Sequence, residues 1–293
     1  MLRKEESMKK KILEEINLNI IKALEEGTCP WRNPFIPQMS GDGHVYRGIN
    51  RLVLNMKCKD KEYKQPTWFT FNSARKKGGR VMKGEKGTRI IYGGVGTRKD
   101  KDDNDIFFQV FKTWHVFNVE QIDWEDEAPT QEMAQEEPID LVRKYLVSQN
   151  IKLTDIPGSA YYAIKEDRIN VPNRSALVSE DSYYPIMFHE MGHSTGAADR
   201  LNRSGIAEIS LRDEHTYSEE ELVAEMISAY LCGTTGLQLD HLDQSAAYIK
   251  GWLGHIKNDP DVLMRAISEA EKGFQFITKG EVDEDLTTGK EEQ

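Results

Sequence analysis

Residues 188–193 read FHEMGH, and no other stretch restricts so sharply what this chain can fold into. On a helix, His189 and His193 stand one turn apart on the same side, with Glu190 beside them. Neutral histidines at this spacing hold Zn²⁺, while the carboxylate between them takes a proton from water at the metal and passes it to the leaving group. The spacing predicts a hydrolase. A chance HExxH in a chain of 293 residues has odds of about one in a hundred, so the surroundings must decide. SEDSYYPIMFHEMGHSTG predicts a helix capped by Ser179 or Ser182, with Pro185 in its first turn and Gly196 at its end. Ile186, Met187 and Met191 would form its buried side. Two histidines and a glutamate in such a helix are costly to bury unless something satisfies them. A metal does so.

Structural zinc takes four protein ligands and catalytic zinc three, which raises the question of the third. Asp199 lies ten residues beyond the first histidine, in HEMGHSTGAAD. Further on, TYSEEELVAEMISAYL predicts a helix on which Glu221 and Glu225 share a face flanked by Ala224, Ser228 and Ala229, small enough for another helix to approach closely. Glu221 is the favoured ligand, with Glu225 as a carboxylate orienting a ligand histidine. Glu225 and Asp199 stay open as alternative ligands, and Ser218-x-x-Glu221 also matches a capping box in which Glu221 would only reach the helix start.

Charge divides the chain. Residues 1–124 hold 24 Lys and Arg against 16 Asp and Glu, whereas the remainder holds 15 against 33, so the net −10 conceals a basic half. Within 44–99 there are 15 basic and 3 acidic residues interleaved with aromatics. Cations that track phosphates and rings that stack on unpaired bases suit single-stranded nucleic acid. Candidate stacking residues are Trp68 and Phe71, and candidate phosphate contacts are Arg47, Arg51, Arg75, Lys76, Lys77, Arg80, Lys83 and Lys86. The charged start and the lack of any long apolar run predict a cytoplasmic protein with no membrane partner. Cys29, Cys58 and Cys232 form no C-x-x-C pair and read as reduced thiols.

Apolar spacing predicts a helix over 8–26 stopped by Gly27, then strands in YKQPTWFTF, GTRIIYGGV and DIFFQVFKTWHVFNV, with a helix crossing FNSARKKGGR. The acidic, proline-containing stretch 125–138 predicts a linker. Beyond it come a helix in PIDLVRKYLVSQN, a short β section in AYYAIKEDRINVP, the two metal-site helices and two more around 241–257 and 260–273. The expected organisation is α+β, with a mixed α/β nucleic-acid-binding domain at 1–124, the linker at 125–138, a metallopeptidase-like domain at 139–282 and an acidic tail at 283–293.

CPWRNPF, VYRGINRLVLNM, PTWFTFNSARKKGGRVMKGEKGTRI and HVFNVEQ, in that order, resemble the N-terminal single-strand DNA-binding domain of ArdC-type antirestriction proteins. RINVPNRSALVSEDSYYPIMFHEMGHSTGAADRLNR and EEELVAE resemble the zincin-like metallopeptidase domain of the same family. The resemblance spans nearly all of residues 8–275 and implies carriage on a plasmid, phage or other mobile element. It implies His189, His193 and Glu221 as Zn²⁺ ligands and Glu190 as the catalytic carboxylate, with Glu225 supporting the site where related zincins carry aspartate. It also implies that RINVP is an edge strand to which a peptide could add, and that DNA-bound proteins such as restriction enzymes are the targets. Tyr161, Tyr162 and Tyr217 are candidates for stabilising the oxyanion. An alternative from another class is a DNA-shielding protein whose zincin domain cleaves nothing.

Overall fold

Ile16, Ile20 and Leu24 recur every four residues and are buried along one side of α1 (Leu2–Glu25), which stops where Gly27 turns to φ +79°. The computed structural model describes residues 2–32, 35–99, 105–130, 135–172, 180–206, 219–237, 246–259 and 261–282. Ser179, Tyr217, Ser218 and the tail at 283–293 lie outside them. A 3₁₀ turn (Pro30–Arg32) leads to β1 (Met39–Ser40), α2 (Gly48–Lys61), β2 (Thr67–Thr70), the short α3 (Phe71–Lys76) and β3 (Gly79–Val81). Then come the long hairpin β4 (Thr88–Lys99) and β5 (Asp105–Asn118), followed by β6 (Ile122–Trp124). The first sheet has the order β1-β2-β5-β4, parallel only between β1 and β2, while β3 pairs with β6. Hairpin register runs from Thr88 opposite Val116 to Lys99 opposite Asp105. Helix α2 was not anticipated from the sequence; it buries Leu52 and Leu54.

The second half begins with α4 (Pro138–Gln149), whose left-handed C-cap at Asn150 feeds β7 (Lys152–Thr154). With β8 (Tyr161–Ala163) and β9 (Arg168–Asn170) this forms a sheet of order β7-β9-β8. The RIN of RINVP is therefore the central strand rather than an edge, because β7 pairs with it in parallel on one side and β8 covers the other. Among the described residues the edge strand beside the site helix is β8, which packs on α5 (Glu180–Ser194). Helices α6 (Glu219–Thr235), α7 (Ala246–Asn258) and α8 (Val262–Lys279) complete the fold, an α+β arrangement as expected. Pro185 lies inside α5 rather than in its first turn, and its carbonyl accepts the Ser228 hydroxyl of α6 at 2.7 Å.

The stretch 125–138 separates the halves in sequence, but their cores are continuous. Ile16, Ile20, Leu24, Cys29, Trp31, Phe35 and Leu52 share one apolar cluster with residues of α4 through α8. Trp68, Leu54, Ile90 and Val116 form a smaller cluster under α2. No helix among the described residues is long and apolar enough to cross a membrane. The three cysteines are free thiols, Cys29 and Cys232 buried.

Candidate metal centre

Helices α5 and α6 meet at Gly192, whose hydrogen faces the backbone of Ala224; a Cβ there would stand 3.0 Å from the Ala224 Cα. Close approach at this point brings the histidines of one helix to the acids of the other. His189 Nε2 and His193 Nε2 are 3.0 Å apart, and the rings are nearly perpendicular. The Glu221 carboxylate straddles them, with Oε2 3.4 Å from His189 and Oε1 3.5 Å from His193. Two imidazole nitrogens and one carboxylate oxygen thus converge, all within 4.8 Å of one another. Two neutral nitrogens this close repel through their lone pairs unless a proton or a cation lies between them, and this donor set suits a borderline divalent ion.

The surrounding charges favour positive charge at that point. Burial opposes protonation of His189, yet Glu221, with Glu190 and Glu225 behind it, pushes the ring up to about 9. Burial likewise works against an ionised Glu221, but the two histidines hold it down at about 2. Glu190 is 7% exposed, and its burial pushes the carboxyl up against the pull of both histidines. The backbone of Tyr162 in β8 hydrogen-bonds to it.

Behind His193 stands a carboxylate that the sequence reading did not nominate. Glu220 Oε1 lies 3.5 Å from His193 Nδ1, and the same carboxylate takes two hydrogen bonds from Arg203, at 2.6 and 2.7 Å. Arg203 also donates to the Gly192 carbonyl and to Thr195, so it ties the end of α5 to the start of α6. Glu220 and Arg203 are both buried, and the arginine and His193 keep the acid ionised despite burial. The carboxylate at the Nδ1 of His193 is therefore Glu220. Glu225 accepts the indole N–H of Trp31 at 3.2 Å and acts on His189 electrostatically. Asp199, the third alternative as ligand, is exposed past the end of α5 and outside the converging group. Of the tyrosines, Tyr162 gives its hydroxyl to Asp167 at 2.7 Å, and Tyr161 lies exposed at the sheet edge.

The nucleic-acid candidates divide by exposure. Phe71 is 57% exposed at the start of α3, and Arg75, Lys76, Lys77, Arg80, Lys83 and Lys86 are exposed on α3, β3 and the turn after it. Lys77 pairs with Asp42 at 2.8 Å, and Arg47 is half-buried. Two candidates must be withdrawn. Trp68 has no exposed surface and donates its indole N–H to Gln38 at 2.6 Å beneath α2, so its face is closed to a base. Arg51, 2% exposed, lies between the rings of Tyr230 and Phe274 at 4.6 and 4.7 Å, with Glu271 at 3.9 Å, and cannot reach a phosphate.

Two family models cover most of the chain and overlap within α4. A family model described as a zincin-like metallopeptidase matches residues 141–269, and one for the N-terminal domain of the anti-restriction factor ArdC matches residues 10–145. The metal-free crystal structure of antirestriction ArdC protein from plasmid R388 superposes with a TM-score of 0.75 at 30% identity, covering 91% of this chain and 96% of that one. Its Mn(II)-bound form gives 0.73 at 31% identity, covering 91% and 97%. The DNA primase TraC of Escherichia coli is 28% identical over 310 residues, 94% of this chain but 20% of that protein, so the chain spans about a fifth of that relative's length. Uncharacterized protein y4eC of Sinorhizobium fredii is 26% identical over 89% of each chain.

Proposed function

The chain belongs to the ArdC antirestriction family, and from that premise we propose that it binds single-stranded DNA through its basic half and hydrolyses peptide bonds in a protein associated with that DNA. The observation that carries the hydrolytic part is the convergence of His189, His193 and Glu221 with the buried Glu190 beside them. His189, His193 and Glu221 would hold a divalent cation, with Zn²⁺ the ion this donor set favours. When bound, such an ion supplies Lewis-acid polarisation of a carbonyl and makes water a better nucleophile at neutral pH.

The protein's own groups do the rest. Glu190, its carboxyl pushed up by burial, is suited to take a proton from the attacking water and deliver it to the departing amine. The Tyr162 backbone fixes that carboxylate, which places Glu190 against the strand at the edge of its sheet. Glu220 and Arg203 hold the His193 ring in orientation from behind.

Support for DNA binding comes from exposed Phe71 among Arg75, Lys76, Arg80, Lys83 and Lys86. The acidic remainder of the chain keeps the hydrolytic site off the phosphates and open to a protein. Restriction enzymes are the proposed targets and the cytoplasm the proposed compartment. The deciding experiment incubates a DNA-bound restriction enzyme with wild type or Glu190→Gln, with and without single-stranded DNA. Cleavage by wild type alone, faster with single strands, is the expected result. Equal DNA protection by both forms with no cleavage would leave the protein a shielding factor.

A further inference from the structure

We propose that Trp31, from the N-terminal half, is a positioning residue of the metal centre, acting through the hydrogen bond from its indole N–H to Glu225. The proposal rests on the metal-binding reading above and adds to it a contribution from the other half of the chain. Trp31 belongs to CPWRNPF, a stretch to which the DNA-binding reading gives no role. It is fully buried, and its Nε1–H meets Glu225 Oε2 at 3.2 Å across 194 residues of sequence. The ring has little freedom, because Trp252 of α7 stands edge-on to it with centroids 5.9 Å apart.

The segment around Trp31 is held as firmly. Cys29, Trp31 and Phe35 all enter the shared core, and Phe35 packs edge-on to Tyr230 of α6 at 5.2 Å. One turn further along α6, Gly233 lies directly under the Phe35 backbone, which any side chain at 233 would overlap. The segment is thus clamped against the helix that carries Glu221 and Glu225 four residues apart. Glu225 adds negative charge at His189. A carboxylate that accepts a fixed indole N–H keeps its rotamer, so it stays one turn along α6 from the ligand Glu221. Without that donor, the Glu225 rotamer loses a restraint that the N-terminal half supplies.

The test measures the Zn²⁺ dissociation constant of the full chain, by competition with a chromophoric chelator, in wild type, Trp31→Phe, Glu225→Gln and the double variant. Trp31→Phe is expected to weaken Zn²⁺ binding about tenfold, with little further loss when Glu225→Gln is already present, since the indole then has no carboxylate to hold. Phe35→Leu, which loosens the same segment without touching Glu225, should lower thermal stability and leave Zn²⁺ affinity unchanged. Unchanged affinity in Trp31→Phe, or losses that simply add in the double variant, would overturn the proposal. If Trp31→Phe does not fold, the indole ¹⁵N–¹H resonance of Trp31 decides. It should shift in Glu225→Gln and again on adding Zn²⁺ to wild type, and a signal indifferent to both overturns the idea. A wild type that binds no Zn²⁺ removes the metal reading and the proposal with it; a wild type that binds Zn²⁺ no better than Trp31→Phe removes the proposal alone.

Discussion

Gly192 packs on the backbone of Ala224 where the two metal-site helices meet, and a Cβ there would stand 3.0 Å from the Ala224 Cα. Gly192→Ala must therefore push α6 away by a few tenths of an ångström, because the obstructing atoms are backbone. His193 and Glu221 flank this contact on opposite helices, and their separation should widen with it. The expected cost is about 1–3 kcal/mol of stability together with weaker metal binding. Thermal denaturation and a Zn²⁺ titration check both parts. Undiminished affinity in a destabilised variant would show that helix approach does not set the ligand spacing.

Asp167 makes a second, independent test through pH. Its carboxylate takes hydrogen bonds from the buried Arg200 at 2.6 and 2.9 Å and from the Tyr162 hydroxyl at 2.7 Å. Burial pushes the carboxyl up, but Arg200 and Tyr162 outweigh it and hold it below the ordinary carboxylate range. A depressed folded-state pKa means stability that is fully present above the unfolded value and lost as pH falls through the folded one. Asp167→Asn should therefore cost about 1–2 kcal/mol at neutral pH, discounted for the partial exposure of the carboxylate. The gap between wild type and variant should hold down to about pH 5 and close below about pH 4. Denaturant titrations at several pH values measure it, and a gap that widens in acid would contradict the assignment.

The helical period made the metal centre legible in the sequence: four-residue spacings put His189 with His193 and Glu221 with Glu225, and small residues announced where the helices would meet. Glu220 was not legible. In a run of three glutamates each side chain points about 100° from the next, and which one turns inward is decided by Arg203, which arrives from a separate loop. Arg51 and Trp68 misled for a related reason. Arginine and tryptophan in a basic stretch read as a nucleic-acid surface, but the partners that bury Arg51 lie at Tyr230, Glu271 and Phe274, far off in sequence. The same basic residues obscured the apolar side of α2. The edge position of RINVP was implied by the resemblance alone, and its parallel neighbour β7, only three residues long, gives too short a pattern to read as a strand.

Metal binding separates the acids near the two histidines. His193→Ala and Glu221→Ala should each abolish or greatly weaken the binding of about one Zn²⁺ per chain, whereas Asp199→Ala should bind it as wild type does. Glu220→Gln should fall between, with affinity down about tenfold, since it loosens the His193 ring and leaves Arg203 buried beside a neutral group. Elemental analysis after reconstitution and dialysis reports the stoichiometry. Full retention in Glu221→Ala would move the ligand to another acid, Glu225 first among them.

DNA binding, finally, should follow exposure and not merely charge. Lys76, Arg80 and Lys83 are exposed, and replacing all three with alanine should weaken single-strand binding uniformly across sequences. Each lost phosphate contact flattens the dependence of log K on log salt by about 0.7 for a single strand, so the triple variant should lose about 2 from the slope. Phe71→Ala, which removes an exposed ring and no charge, should cost about 1–3 kcal/mol of binding and leave the slope alone. Arg51→Ala tests the opposite case. It removes a positive charge from the same basic half, but that charge is held between Tyr230 and Phe274, so the expected loss is in thermal stability with the salt slope unmoved. Fluorescence-anisotropy titrations of the full chain at several salt concentrations distinguish these outcomes. A flattened slope in folded Arg51→Ala would mean that α2 leaves the shared core when DNA binds, and the packing described between the two halves would then belong to the DNA-free state alone.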